Sequence, residues 1–338
     1  MTVCFSSLML FAANGTIVVM SPCHEQHSPV GPPRLLKKSA QAARSPLRRS
    51  SAASLTRGLA VAAGLSLAYM AFEAQWVRCR ELDLPVPGLP QPWSGLTVLH
   101  LSDVHPDSFP SNLWVLAQVV RWARQRTLDL VLLTGDVLGH SRRSKTCLAL
   151  LEKLQPRLGT FAVTGNHEYG LTKGLLAQAR PAKAAYAGTS ITLLDDSCVE
   201  LPARNGFRLV LCGADYLSGG FALLELAKEL GLAPGPPITR TGTRPFPILL
   251  SHEPPPPHSP LTAFFPLVFA GHTHGGQLRL PSRLGLKPPH MPRDGYLAGI
   301  YHWGNGLLVV SAGIGTSFLP LRLFTRPEAT LWRLVYTS

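Results

Sequence analysis

Five short blocks hold the side chains in this sequence best suited to chemistry: Ser102-Asp103-Val104-His105, Gly135-Asp136, Gly165-Asn166-His167-Glu168, Ser251-His252-Glu253-Pro254 and Gly271-His272-Thr273-His274-Gly275-Gly276. Their candidate donors are two aspartates, one asparagine and five histidines. That is the inventory of a centre holding two divalent ions, of the kind that hydrolyses phosphate esters. Two ions about 3.5–4 Å apart clamp the attacking and leaving oxygens of an in-line displacement and lower the pKa of a water between them. One carboxylate must touch both ions, and Asp136, alone at the tip of LDLVLLTGD, is the natural candidate. Imidazole suits Zn, Fe, Ni and Cu, whereas carboxylate and amide oxygens suit Mn and Mg. The mixed set is therefore expected to take two divalent metal ions drawn from Mn, Fe or Zn. On an extended chain Asp103 and His105 would share a face, because the strand period is two. His272 and His274 repeat that spacing, with flanking glycines that let backbone crowd the ions without a Cβ clash.

Each block follows a β-branched or otherwise apolar run, so each donor is expected where a strand ends. TVLHLSD, LDLVLLTGD and GTFAVTGNH read as strands separated by helices over SNLWVLAQVVRWARQR and around CLALLEKL. In the first helix Leu113, Leu116, Val120 and Ala123 recur on one face. This β-α-β-α-β order predicts a largely parallel, buried sheet. Later come ITLLDDS, a hairpin turning at Asn205-Gly206, PFPILLSHE, LVFAGHTHG, GLLVVSAGIG and ATLWRLVYTS, with shorter connections. Residues 231–246 and the Pro254–His258 run read as loops, the latter stiffened as polyproline II.

The ordered motifs D-x-H, GD, GNHE, SHEP and GHTHGGQ resemble those of the calcineurin-like metallophosphoesterase superfamily. The tail from Tyr296 onward is similar to that of the YkuE/YaeI-like, membrane-associated bacterial branch. The resemblance covers roughly residues 94–336. It implies an α/β fold, a four-layer α/β/β/α sandwich preceded by an N-terminal hydrophobic segment. It further implies that Asp103, His105 and His274 hold the first metal, that Asp136 bridges, and that Asn166, His252 and His272 complete the second. His167 would be the outer-sphere histidine that stabilises transition-state charge or protonates the leaving oxygen. A metal-bridging hydroxide would then hydrolyse a phosphoester as phosphodiesterase or phosphatase. Pro106-Asp107 departs from the family's usual small apolar stretch and bears on substrate fit. Glu168 is read as supporting its loop, and Asp107 and Asp129 as turn and strand-entry residues. His24, His27, His100, His140, His258, His290 and His302 are read as solvated or structural, with His290 the one that could line a cleft.

The 338 residues carry a formal charge of +13, unevenly spread. Residues 1–80 hold nine Lys/Arg against two acids, leaving 23 against 17 in the remainder. No nucleic acid is expected as a partner, since no basic stripe interleaved with aromatics appears. Arg279, Arg283, Lys287, Arg293, Arg322 and Arg326 are read as phosphate-steering residues or a solvated face. The expected organisation is a basic, Pro/Ser/Arg-rich disordered leader over 1–57, a membrane anchor or export signal over 58–76, and a catalytic domain over 94–338. Translation is expected to begin at Met20, because the apolar stretch before it lacks a basic flank. Gly58–Phe72 is uncharged over about 15 residues, between a secretory core and the roughly 20 that span a bilayer. Its flank, Arg44 to Arg57, orients the N-terminus inside and the domain outside. Arg48-Arg49 resembles a twin-arginine export signal, but no A-x-A site follows, so an uncleaved anchor is expected. Six cysteines show no CxxC spacing, and buried free thiols are the default reading. Cys198 and Cys212 bracket the Asn205-Gly206 hairpin, where export would permit a disulfide.

The partners that follow are a phosphoester substrate, lipid-linked or otherwise borne by the envelope, and the membrane itself. One alternative is an enzyme like UDP-2,3-diacylglucosamine pyrophosphatase of lipid A synthesis, which works at the cytoplasmic face. Another is a non-catalytic scaffold, which usually lacks a ligand; here every expected ligand is present.

Overall fold

In the computed structural model of the chain, residues 47–139, 142–170, 182–232, 244–279 and 295–337 are described. The leader before residue 47, the Met20 start and the reading of His290 lie outside them. The first half comprises α1 (Leu47–Glu73), β1 (Arg78–Pro87), β2 (Thr97–Leu101), α2 (Pro110–Ala123), β3 (Leu130–Thr134), α3 (Arg142–Leu151) and β4 (Gly159–Val163). Next come α4 (Ala182–Tyr186), β5 (Ile191–Leu193), β6 (Ser197–Glu200), β7 (Leu209–Gly213) and α5 (Phe221–Glu229). The last strands are β8 (Phe246–Leu250), β9 (Leu267–Ala270), β10 (Gly299–Trp303), β11 (Gly306–Val310) and β12 (Glu328–Thr337).

Among the described residues, twelve strands form two six-stranded sheets, ordered β1-β12-β2-β3-β4-β5 and β10-β11-β9-β8-β7-β6. In the first, β2 to β5 run parallel and β12 is antiparallel to β2. In the second, β7, β8, β9 and β11 run parallel between antiparallel edges. Side-chain alternation decides the layering. Along β3, Leu130 and Leu132 point between the sheets, against Ile248, Leu250, Leu267 and Phe269. Val131 and Leu133 point the other way, onto Val115, Val119 and Leu148 of α2 and α3. The outer face of the second sheet, with Val210, Leu249 and Val268, is covered by Leu223 and Ala227 of α5. These are the four layers of the expected α/β/β/α sandwich.

The five strands that precede the motif blocks form where the sequence puts them, and the hairpin turns at Asn205 (φ 50°) and Gly206 (φ 81°). Four elements have no counterpart in the sequence reading: β1, β10, α4 and α5. β1 lies before residue 94 yet pairs along its length with β12. Its charges and its Pro85 and Pro87 disguise a strand; at a sheet edge both are tolerated. Cys198 and Cys212 are paired residues across β6 and β7 and form a disulfide, where the sequence reading defaulted to free thiols. Cross-strand register, which sequence leaves open, brings them together.

Helix α1 also extends further than its uncharged core suggests. Ala53–Glu73, 21 residues with mean hydropathy 1.4, is long and apolar enough to cross a membrane. Leu55, Leu59, Val61, Leu65 and Leu67 are exposed along it.

Candidate metal centre

Strand ends position every donor. Asp103 and His105 follow β2, Asp136 follows β3, Asn166 and His167 follow β4, His252 follows β8, and His272 and His274 follow β9. Because these ends lie at one rim of the two sheets, eight side chains far apart in sequence converge. The local geometry differs from the extended D-x-H pair expected. Asp103, His105, Asp136, His272 and His274 all sit at φ between 46° and 69°. Asp and His tolerate the left-handed region better than most residues, and such strain concentrates at functional sites. Each chain thus turns sharply as it leaves its strand. Two glycines permit the turns: a Cβ on Gly135 would strike the His252 ring, and one on Gly271 would strike Ser102. The expected glycine role therefore shifts, since what crowds Gly271 is the neighbouring β2 chain.

The donors form two groups joined through Asp136. In the first, His105 Nε2 and His274 Nε2 lie 2.9 Å apart, and Asp103 Oδ1 lies 3.8 Å and 3.6 Å from them. In the second, His252 Nε2 lies 3.0 Å from His272 Nδ1 and 3.2 Å from Asn166 Oδ1. Asp136 Oδ2 sits 3.4 Å from both His105 Nε2 and His252 Nε2, and 3.9 Å from His167 Nε2. The His167 ring meets that of His105 edge-on at 4.3 Å and is the more open of the two.

Neighbours leave these donors aimed inward. His252 Nδ1 donates to the Thr134 carbonyl at 2.8 Å, which keeps the Nε2 lone pair for the centre. His272 Nε2 faces Glu253 at 3.3 Å. Asp103 Oδ2 accepts from Ser102 and from the His272 amide, while its buried Oδ1 has no hydrogen-bond partner. Burial opposes ionisation of Asp103 and Asp136, but the surrounding histidines hold both below the usual carboxylate range. Burial likewise opposes the His252 imidazolium, yet Asp136 and Asp103 push it up to about 10, a demand for positive charge that a divalent cation would meet in place of the Nε2 proton. Burial pushes His167 down to about 4 against the pull of Asp136. An orphaned buried carboxylate oxygen and imidazole lone pairs facing each other at 2.9–3.0 Å fit divalent cations. Asp103, His105 and His274 can hold one ion, and Asp136, His252 and His272 another.

A family model described as calcineurin-like phosphoesterase matches residues 96–276. The chain belongs to the calcineurin-like phosphoesterase family. As a member it is a metal-dependent phosphoester hydrolase. It is 26% identical to the uncharacterized metallophosphoesterase YkuE of Bacillus subtilis, covering 82% of this chain and 93% of that protein. Phosphodiesterase YaeI of Escherichia coli is 29% identical over 70% of this chain and 82% of its own. A transmembrane protein with metallophosphoesterase domain from Danio rerio is 27% identical, covering 80% of this chain and 60% of that protein. Helix α1 is the one described helix long and apolar enough to cross a membrane, and that relative is itself named as a transmembrane protein.

Several residues outside the expected set shape the centre. Glu168 is buried and accepts the amides of Asp136, Val137, Leu138 and Gly165 at 2.8–3.0 Å, the supporting role read for it. Burial, then Asp136, pushes its carboxyl up to about 7 against those amides. Asn112, on α2, donates to the carbonyls of His105 and Thr316. Tyr216 lies edge-on to His252 and reaches Glu253. Arg322 overturns its sequence reading as a phosphate-steering or solvated residue. It is fully buried and donates to the carbonyls of His274, Ala312, Gly313, Gly315 and Thr325. Arg326 stacks 3.7 Å over Trp76. Arg283, Lys287 and Arg293 lie outside the described residues.

Proposed function

We propose that this protein hydrolyses phosphoesters at the bilayer surface, with Asp103, His105 and His274 holding one ion, Asn166, His252 and His272 the other, and Asp136 touching both. The observation that carries the assignment is Asp136 Oδ2, equidistant from His105 Nε2 and His252 Nε2 at 3.4 Å. When bound, the two ions supply Lewis acidity to the phosphoryl oxygens and lower the pKa of a water between them. The chain's own residues do the rest. Glu168 fixes the Asp136 loop, Asn112 fixes His105, and Thr134 fixes the tautomer of His252. His167, on the open side, donates its ring N–H to a phosphoryl or leaving oxygen. Mn, Fe or Zn suit the mixed donors.

The substrate reading is a phosphoester borne by a membrane lipid or the envelope. Helix α1 supports it, as does the basic flank, whose charge favours a domain outside by the positive-inside rule. The Cys198–Cys212 disulfide supports the same side, since such bonds persist in oxidising compartments.

The test is hydrolysis of bis-p-nitrophenyl phosphate by the detergent-purified full chain, with Mn²⁺ and with EDTA. Activity that needs metal and vanishes in Asp136→Ala is expected. Folded protein that binds no divalent ion would overturn the assignment.

A further inference from the structure

The loop that closes the candidate centre also grips the end of the apolar helix. The Glu73 carboxylate, buried at the last turn of α1, accepts the amides of Phe324 and Thr325 at 3.1 and 2.8 Å. The Arg322 amide donates to the Met70 carbonyl at 3.0 Å. Arg326 stacks on Trp76 and donates to the carbonyls of Trp76 and Val77. The chain from Leu321 to Arg326 therefore lies level with the last turn of α1.

That level is set by helix length. Ala53–Glu73 spans about 31 Å at 1.5 Å per residue, matching a hydrocarbon core of about 30 Å with nothing to spare. A spanning α1 consequently brings its last turn, and the loop wrapped on it, to the headgroup boundary. The surface there is suited to that place. Leu319, Phe324, Phe72 and Trp76 are exposed by 50%, 61%, 56% and 47%. Phe324 is held at φ 54°, a region bulky side chains avoid, by the amide bonds to Glu73. Exposed Arg78 and Arg279, whose amides donate to the Pro327 and Leu323 carbonyls, flank the loop and give the apolar centre a cationic rim.

We infer that Leu319 and Phe324 dock into the bilayer surface beside α1 and hold the metal centre against it, so that the phosphoester is drawn from a lipid headgroup. This rests on reading α1 as a membrane span and on the proposed hydrolysis. The path between membrane and centre is short: the Arg322 backbone bonds Met70, and its guanidinium bonds the His274 carbonyl.

The test places photoreactive benzoylphenylalanine, in the full chain reconstituted into phosphatidylcholine–phosphatidylglycerol nanodiscs, at Phe324, at Leu65 in α1, or at Tyr336. Tyr336 is exposed at the far end of β12, about 27 Å along the strand from Glu328. Lipid adducts at Leu65 and Phe324, several-fold above Tyr336, are expected. An adduct at Leu65 with Phe324 no higher than Tyr336, or Phe324 joined to a second protein copy, would overturn the docking while leaving the span intact. No lipid adduct at Leu65 would overturn span and docking together. None of these outcomes touches metal-dependent hydrolysis of a soluble ester, which is measured separately.

Discussion

At the residue scale, the proposed centre separates side chains that would hold ions from those that hold the holders. Asp136 belongs to the first group, so Asp136→Ala should abolish hydrolysis and lower the bound metal counted by mass spectrometry. His167 makes its approach from the open side. His167→Ala should lower kcat by about 10²–10³-fold, the usual loss of one hydrogen-bond donor to a developing oxyanion, while leaving two ions bound. Glu168 belongs to the second group. Its carboxylate satisfies four amides, three of them from Asp136 to Leu138. Each buried polar group left unpaired costs about 1–3 kcal/mol, so Glu168→Ala should destabilise the fold by about 3 kcal/mol or more, seen as a lower Tm. The donors themselves were legible because their residue types are unusual at strand ends. Glu168 was half legible, by its place beside His167. Arg322 was not, since a charged residue between leucines reads as surface until five carbonyls are seen to close on it.

At the element scale, short connections decide both the site and its rigidity. The tight turns after β2, β3 and β9 carry five donors in left-handed backbone, stabilised by what packs behind them. Arg322 is the main support behind β9, tying the His274 turn to the segment after β11. Arg322→Lys should fail to rescue the loss caused by Arg322→Met, because an ammonium cannot reach five acceptors in a fixed fork. Both variants should bind less metal and melt earlier. The second sheet's edge is held differently, by the disulfide across β6 and β7. Cross-linking residues about 15 apart constrains the unfolded chain by about 3 kcal/mol. Mild reduction should therefore lower Tm, while activity at 25 °C stays, since the bond lies away from the donors.

At the scale of the whole molecule, one end of the sheets gathers the metal centre, the Leu321–Arg326 loop and the end of α1. If that end meets the bilayer, Leu319→Ser with Phe324→Ser should leave hydrolysis of bis-p-nitrophenyl phosphate unchanged in nanodiscs. The same variant should lose most of its rate on a phospholipid ester in the same discs. Equal rates on both substrates would separate the catalytic centre from its membrane placement. The strand order within each sheet was only partly legible. Parallel β2, β3 and β4 follow from their alternation with helices, whereas β12 returning between β1 and β2 does not. Insertion of the last strand depends on which edge of a finished sheet remains open.

The sequence by itself determined the candidate donors, the strands that end at them, the apolar helix and the family. Those features are local: residue types at strand ends and apolar runs of fixed period are written in neighbouring positions. Tertiary structure alone decided that Arg322 is interior and that Cys198 faces Cys212. It alone decided, too, that Glu73 binds the loop behind His274. Each of these joins positions brought together by sheet register and packing, and such contacts depend on how the layers close rather than on any one segment's preference.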